Sequence, residues 1–566
     1  MNRKRIVILN TVIVFGFFAI FFRLTDLMVF NHKIYSERAK SQHVKAEDIQ
    51  VRRGNIYDRK GRAFAVNLEL ESLYCDPEEV VVDKDRLKTL SGILGMDAKG
   101  IEAKLIQGKR FTWINRKLTP DAAVEIRKLN IKGIGFVPEA KRYYPKGELA
   151  SHVIGMVGRE NQPLEGLELK YDKYLRTAGG KVYFARDASG KQLSSGVVDM
   201  EAKGNNLLLT IDEGLQYIVE TELDKAMAQW KSVAASAIML DPLTGEILAL
   251  ANRPAYDLND AGSTNKNAIR NRVITDIYEP GSTFKVIVGT AALEEKLYKL
   301  DSTFDCSRGS IEVGGKTIHD AHRHGLLTFR EVIQKSSNVG SIMIGMKLGK
   351  EQVYRYAKLY GFGDQTGIDM PGEVSGWIRK PDKWSATSIG AIAIGQEVAV
   401  TPLQILRAYS VIANGGYLVQ PHLVSEIRTP EGQTIFSFKG VTKRVLSEKT
   451  ATIFKDILKT VVEEGGTATE AAVKGNQVAG KTGTAQLIDH STGRYSKSRF
   501  VSSFVGFVPA DNPKLAMIVV IYEPKGQIYG GVVAGPVFKN IADQALSYMN
   551  VPMDENFKKD LLLVSQ

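Results

Sequence analysis

The chain is 566 residues long, with 44% hydrophobic and 24% charged residues, an ordinary balance for folded protein and too long for one core, so two or more domains are expected. Its net charge of +12 would suit nucleic acid or an anionic lipid surface. No basic run interleaved with aromatic residues occurs outside the N-terminus, which argues against nucleic acid.

Asn2-Arg3-Lys4-Arg5 precedes Ile6 to Phe22, a charge-free stretch whose only polar residues are Asn10 and Thr11. It is at the short end for a spanning helix, and Leu24 to Phe30 adds apolar length beyond Arg23 and Asp26, which suit the far interface. The leading positive residues place the N-terminus in the cytoplasm and the rest outside. No small-x-small cleavage site follows Phe22, so the expectation is an uncleaved single-pass anchor over residues 6–28 behind a cytoplasmic tail of residues 1–5.

Residues 45–200 mix short strand-like runs with Gly/Pro turns and hold a helical stretch near Asp85 to Leu105. They read as an elongated, non-catalytic α+β domain. The cysteines, Cys75 and Cys306, fall in different expected domains. A disulfide is permitted outside the membrane, but two buried, unpaired thiols are expected. Asn206 to Ile211 begins a second domain, residues 205–550, with a tail over residues 551–566. There, Ala237 to Leu240, Asp241-Pro242-Leu243-Thr244-Gly245 and Glu246 to Ala251 read as a hairpin and its turn.

Ser282-Thr283-Phe284-Lys285 follows Pro280-Gly281 and opens an apolar run to Leu293 that reads as a buried helix. A serine hydroxyl needs a base before it is a good nucleophile. Helix positions i and i+3 share a face, so Lys285 can reach the Ser282 hydroxyl. Burial beside other cations lowers a lysine pKa enough for that role. Ser263-Thr264-Asn265-Lys266 has the same spacing, but it sits in Asn/Gly/Asp-rich sequence and reads as loop.

His319, His322 and His324 lack the Cys or Glu that would complete a zinc set, so no metal is expected. Ser336-Ser337-Asn338 lies between a helical stretch, Thr328 to Lys335, and an apolar one, Val339 to Leu348. It can be a helix cap, or a loop presenting Ser336 as proton relay and Asn338 as peptide-holding amide. Lys481-Thr482-Gly483-Thr484 reads as strand. Residues two apart share a face, so Lys481 would aim into the cleft and Gly483 would leave room for a substrate backbone. Thr482 and Thr484 offer hydroxyls to a carboxylate. Phe500 to Val508 and Leu515 to Tyr522 pair across Asp511-Asn512-Pro513, and Pro536 to Met549 reads as a helix. Strands at both ends with helices between give one antiparallel sheet flanked by helices.

The ordered set Ser-x-x-Lys, Ser-x-Asn, Lys-Thr-Gly is that of serine β-lactamases and penicillin-binding proteins. Arg53-Gly54-Asn55-Ile56-Tyr57-Asp58-Arg59-Lys60-Gly61, Gly166-Leu167-Glu168, Tyr171-Asp172, Glu279-Pro280-Gly281, Thr366-Gly367 to Pro371-Gly372-Glu373, and Thr401-Pro402-Leu403-Gln404 extend the match from about Ala46 to about Met549. The chain resembles a class B penicillin-binding protein, a peptidoglycan D,D-transpeptidase. Ser336 to Gly340 is similar to the division-type branch called FtsI, with the elongation type as alternative.

The resemblance implies the α+β penicilloyl-serine transferase fold behind an N-terminal pedestal, an acyl-enzyme on Ser282, no cofactor, and an oxyanion site of the Ser282 and Thr484 N–H groups. Lys285 is then the base, Ser336 the relay to the departing D-Ala, and Lys481 a source of positive potential. Asn338 holds the donor peptide, while Thr482 and Thr484, with Gly483 between them, receive its terminal carboxylate. The implied partners are D-Ala-D-Ala donor stems, acceptor amines, β-lactams and an FtsW-type glycosyltransferase. Glu373 is followed by Val374-Ser375-Gly376, so the Glu-x-x-Leu-Asn of water-using β-lactamases is not visible. A β-lactamase or D,D-carboxypeptidase and a non-catalytic sensor or scaffold are the rival readings.

Overall fold

The computed structural model describes residues 3–33, 35, 44–49, 52–107, 111–176, 180–185, 197–199, 204–260, 262, 265–489 and 493–554. The chain forms two compact units, one of residues 1–53, 67–141 and 176–203, the other of residues 54–66, 142–175 and 204–566.

In the first unit, α1 (Arg3–Thr25) is continued by a π-helical turn at Asp26–Phe30. The run Ile6–Phe30 is 25 residues long and leaves its apolar side chains exposed. At 1.5 Å per residue it exceeds the roughly 30 Å of a bilayer's hydrocarbon. The Thr11 and Thr25 hydroxyls donate back to the Val7 and Phe21 carbonyls, which suits a helix without water around it. Arg23 pairs with Asp26 at 3.0 Å.

The same unit holds residues 67–75 of β1 (Ala63–Cys75), with α2 (Lys84–Leu94), α3 (Ala98–Ile106), β2 (Thr112–Leu118) and α4 (Pro120–Lys128). The single helical stretch expected over residues 85–105 is two helices, because Gly95 turns left-handed at φ 61° and ends α2. The Asp83 carboxylate and Thr119 hydroxyl cap α2 and α4. Leu73, Leu90, Ile101, Ile114 and Ile126 form the core around the free, buried Cys75.

Residues 54–66 and 142–175, which sequence placed with the pedestal, group with the second unit. Ile56–Tyr57 runs parallel to Leu207–Leu208. Arg142 and Glu168 form an ion pair at 2.6 Å with both side chains essentially inaccessible, and Arg142 also donates to the Gly54 carbonyl at 2.8 Å. The Arg-Gly and Gly-Leu-Glu motifs thus meet in one buried network. Alanine at Glu168 leaves a buried guanidinium unpaired, a loss of roughly 3–5 kcal/mol. Thermal unfolding is expected about 10 °C lower for that variant.

The second unit is built on α5 (Glu213–Trp230), β3 (Ala234–Leu240), β4 (Ile247–Arg253), α6 (Lys285–Glu294), α7 (Phe329–Gln334), α8 (Asn338–Leu348), β5 (Ala479–Asp489), β6 (Arg494–Val508), β7 (Leu515–Tyr522) and α9 (Gly535–Tyr548). Its antiparallel sheet has the order β4-β3-β7-β6-β5, with β5 at the edge. Ile238, Leu240, Ile518 and Val520 pack on the α6 side, and Met239, Met517, Val519 and Ile521 on the α5 and α9 side. Cover on both faces explains unbroken apolar strands in an antiparallel sheet. In α6, Lys285 to Ala292 are all buried, so this helix runs through the core.

Candidate active site

Glu279 and Pro280 lead into a 3-10 turn, Gly281–Phe284, that continues into α6 and carries Ser282 at its head. The turn is clamped from three sides. The Gly281 N–H donates to the Gly395 carbonyl at 3.1 Å, and the Thr283 hydroxyl to the Pro280 carbonyl at 2.8 Å. Tyr409 donates its hydroxyl to the Thr283 carbonyl at 3.0 Å. The Ser282 hydroxyl makes no hydrogen bond among the described residues, and it lines a cavity of about 890 Å³.

Thr328 and Glu331 close α7's first turn as a capping box, and α7 delivers the chain to Ser336, held at φ 59°. Ser337 caps α8 by accepting the Gly340 N–H at 3.0 Å. Ser336 and Asn338, on either side, line the cavity. The cap falls on Ser337, and the two residues that flank it face the cavity.

Lys285 Nζ donates to the Ser336 carbonyl at 2.5 Å, to Asn338 Oδ1 at 2.8 Å and to Ser336 Oγ at 3.3 Å. Lys481 Nζ donates to Ser336 Oγ at 2.9 Å. One hydroxyl thus joins two buried lysine side-chain nitrogens, and it is Ser336's. Burial pushes Lys285 down to about 7, although the charge of Asp320 pulls the other way. Lys481 is held well below its ordinary value, first by burial and then by the charge of Lys285. Neither lysine has a carboxylate ion pair among the described residues. Two amines buried together disfavour charging both at once, and Lys285 lies one helical turn from Ser282.

On β5, Thr482, Thr484 and Gln486, which share one face of the strand, line the cavity together with Ala485. The Thr482 hydroxyl pairs with that of Thr467 at 3.0 Å, and Thr484 Oγ1 accepts the Gly530 N–H at 3.1 Å. A β-carbon on Gly281 would stand 3.2 Å from the Thr484 carbonyl, so the Thr484 backbone lies directly against the serine turn.

The penicillin binding protein transpeptidase domain matches residues 235–543, and the penicillin-binding protein dimerisation domain residues 48–209. The chain is 36% identical to stage V sporulation protein D of Bacillus subtilis, over 89% of this chain and 79% of that one. It is 32% identical to the peptidoglycan D,D-transpeptidase FtsI of Escherichia coli, over 94% and 90%. Among solved structures, penicillin binding protein 2X of Streptococcus thermophilus superposes with a TM-score of 0.77 at 27% identity, covering 89% of this chain and 80% of that one. Penicillin binding protein 3 from a Mycobacterium, complexed with aztreonam, gives 0.70 at 27% identity, with 90% and 98% covered. The chain belongs to the penicillin-binding protein transpeptidase family.

In this penicillin-binding protein the sequence-derived residues Ser282, Ser336, Asn338, Thr482 and Thr484 meet at one cavity, with Lys285 and Lys481 buried beneath it. Gly483 differs from expectation. It shares the Lys481 face, and a β-carbon there would stand 2.5 Å from Ser503 Oγ and 3.1 Å from Thr283 Cγ2. Its missing side chain admits the serine turn against β5 rather than a substrate backbone. Of Ser263 to Lys266, Ser263 and Thr264 lie outside the described residues, and Asn265 caps a short helix, Lys266–Ile269.

Asp320 was visible in sequence only as part of a His-rich loop. Its carboxylate accepts the N–H groups of Asn338 and Val339, the latter at 3.1 Å, and the Ser337 hydroxyl at 2.9 Å. It therefore fixes the turn that carries Ser336 and Asn338. His322, Arg323 and His324 of the same loop line the cavity. Alanine at Asp320 strands three donors, costs about 1–3 kcal/mol, and is expected to slow penicillin acylation roughly 10–100-fold in stopped-flow labelling.

Proposed function

We propose that the chain is a membrane-anchored serine D,D-transpeptidase that cross-links peptidoglycan stem peptides and is acylated by β-lactams. The observation that carries this is the joining of Lys285 and Lys481 through the Ser336 hydroxyl beside Ser282. Lys285 in its neutral form takes the Ser282 proton, and the Ser282 oxygen attacks the penultimate D-Ala carbonyl of a donor stem. The N–H groups of Ser282 and Thr484 hold the oxyanion, a contribution of several kcal/mol to the lowered barrier. Ser336, hydrogen-bonded to Lys285, relays the proton taken from Ser282 to the departing D-Ala, whose carboxylate lies on Thr482 and Thr484, and Lys481 supplies positive potential. Asn338 holds the donor amide. An amine from a neighbouring stem then attacks the acyl-enzyme, releasing Ser282 and forming the cross-link.

Transfer rather than hydrolysis is supported by Glu373, the acid that sequence brought closest to a deacylating role. Its carboxylate accepts the Thr366 N–H at 2.7 Å and the Gly367 N–H at 3.2 Å, so it staples a turn. The Ile6–Phe30 helix anchors the chain, with the Arg3 to Arg5 end in the cytoplasm and the catalytic unit outside. Septal synthesis with an FtsW-type glycosyltransferase rests on the Ser336 to Gly340 resemblance and the similarity to FtsI. The similarity to a sporulation protein favours a role in sporulation as second reading.

Fluorescent penicillin tests the chemistry. A stoichiometric adduct on the peptide bearing Ser282, persisting for hours, is expected. Rapid loss of label would move the assignment to a hydrolase. Filamentation on depletion separates the septal role from the spore-specific one.

A further inference from the structure

Among the described residues that line the active-site cavity, Glu279 is the one carboxylate. The other charged lining residues, Arg323 and Lys335, are cations, and the two lysines beneath the cavity add to that field. Glu279 is half-buried and has no ion pair among the described residues. Its carboxylate accepts the Tyr495 hydroxyl at 2.8 Å and the Glu397 N–H at 2.9 Å. Those neutral donors fix its direction without neutralising it. Of the charged groups around it, Glu397 is committed to Arg379, and Lys316 acts only at longer range.

Its position along β5 says what it can meet. Ile488 pairs with Tyr495, and Tyr495 holds Glu279, so this carboxylate stands near the Ile488 end of the edge strand. Four residues separate Thr484 from Ile488, roughly 13 Å at strand rise. The leaving D-Ala departs toward Ser336 and Thr482, at the opposite end. The retained acyl chain therefore runs from Ser282 past Gln486 toward Glu279. Cross-linking joins a donor to an amine on an equivalent strand, so each donor stem carries that amine as well. A long aminoalkyl side chain on the residue preceding the acylated D-Ala spans the interval.

We propose that Glu279 is a specificity-determining residue that binds the side-chain ammonium of the donor stem, selecting donors whose own cross-linking amine is free. This rests on the transpeptidase reading. The test uses full-length protein and a pair of penicillins with an ω-aminoalkanoyl side chain, one with its amine free and one N-acetylated. Second-order acylation rates are compared for wild type and Glu279→Gln, with Glu279→Asp as a charge-retaining rescue. Wild type is expected to favour the free amine at least tenfold. The preference should vanish in Glu279→Gln and return in part in Glu279→Asp. Equal rates with wild type overturn the proposal while leaving the nucleophile assignment standing, as does a preference that survives in Glu279→Gln. No acylation by either penicillin sinks the transpeptidase reading, and this proposal with it.

Discussion

Alanine at Ser282 is expected to abolish covalent labelling by penicillin, and alanine at Lys285 to slow it by at least 10³-fold. Both variants should remain folded, since Ser282 Oγ makes no hydrogen bond among the described residues and the other buried residues of α6 are apolar apart from Thr290, whose hydroxyl is satisfied. The wild-type pH profile discriminates the mechanism further. With Lys285 at about 7 and its neutral form acting as base, acylation should rise about tenfold from pH 6 to pH 8 and level off above. A flat profile, or one rising only above pH 9, would remove Lys285 from the base role.

Stability carries the opposite trace of the same depression. Between pH 7 and 10.5 the unfolded chain binds a proton at residue 285 that the folded chain does not, so folding gains as pH rises and the full cost is present below pH 7. Lys285→Met should therefore be stabilised relative to wild type more at pH 6 than at pH 10. Differential scanning calorimetry at the two pH values measures this.

Gly395→Ala is expected to cut acylation by 10² or more although residue 395 carries no chemistry. A β-carbon there would stand 2.1 Å from the Gly281 carbonyl oxygen, and the residue sits at φ 80°. The neighbour is backbone of the nucleophile's own turn, so relief requires moving Ser282. Misplacement by about 1 Å costs on that order of rate. Gly372→Ala is the control, with φ 81° and nothing within 4 Å of the added carbon, so it meets backbone strain alone. Gly372→Ala should lose about 1–2 kcal/mol of stability and keep its acylation rate. Equal loss of acylation in both would refute the clash.

The turn bearing Ser282 and Lys285, the Ser-Ser-Asn turn and the Lys-Thr-Gly strand were legible in sequence because each motif is local. Spacing of three on a helix or two on a strand sets which side chains share a face, whatever the rest of the chain does. The apolar N-terminal helix and the central helix were legible for the same reason. The acceptors of Lys285 were not, since Ser336 lies 51 residues away and only packing brings it to the amine. Nor was the purpose of Gly483, whose neighbours Thr283 and Ser503 come from other elements. The grouping of residues 54–66 and 142–175 with the second unit was not legible either, because the buried Arg142–Glu168 pair and the parallel pairing of Ile56 with Leu207 join segments that sequence order separates. Asp320 shows the limit most sharply. A carboxylate among histidines suggests surface or metal, and its work of holding three donors around Ser337 exists only once the loop folds over α8. Local periodicity wrote the motifs into the chain, and long-range packing, which fixes desolvation and direction, depressed both lysines and decided which atoms they face.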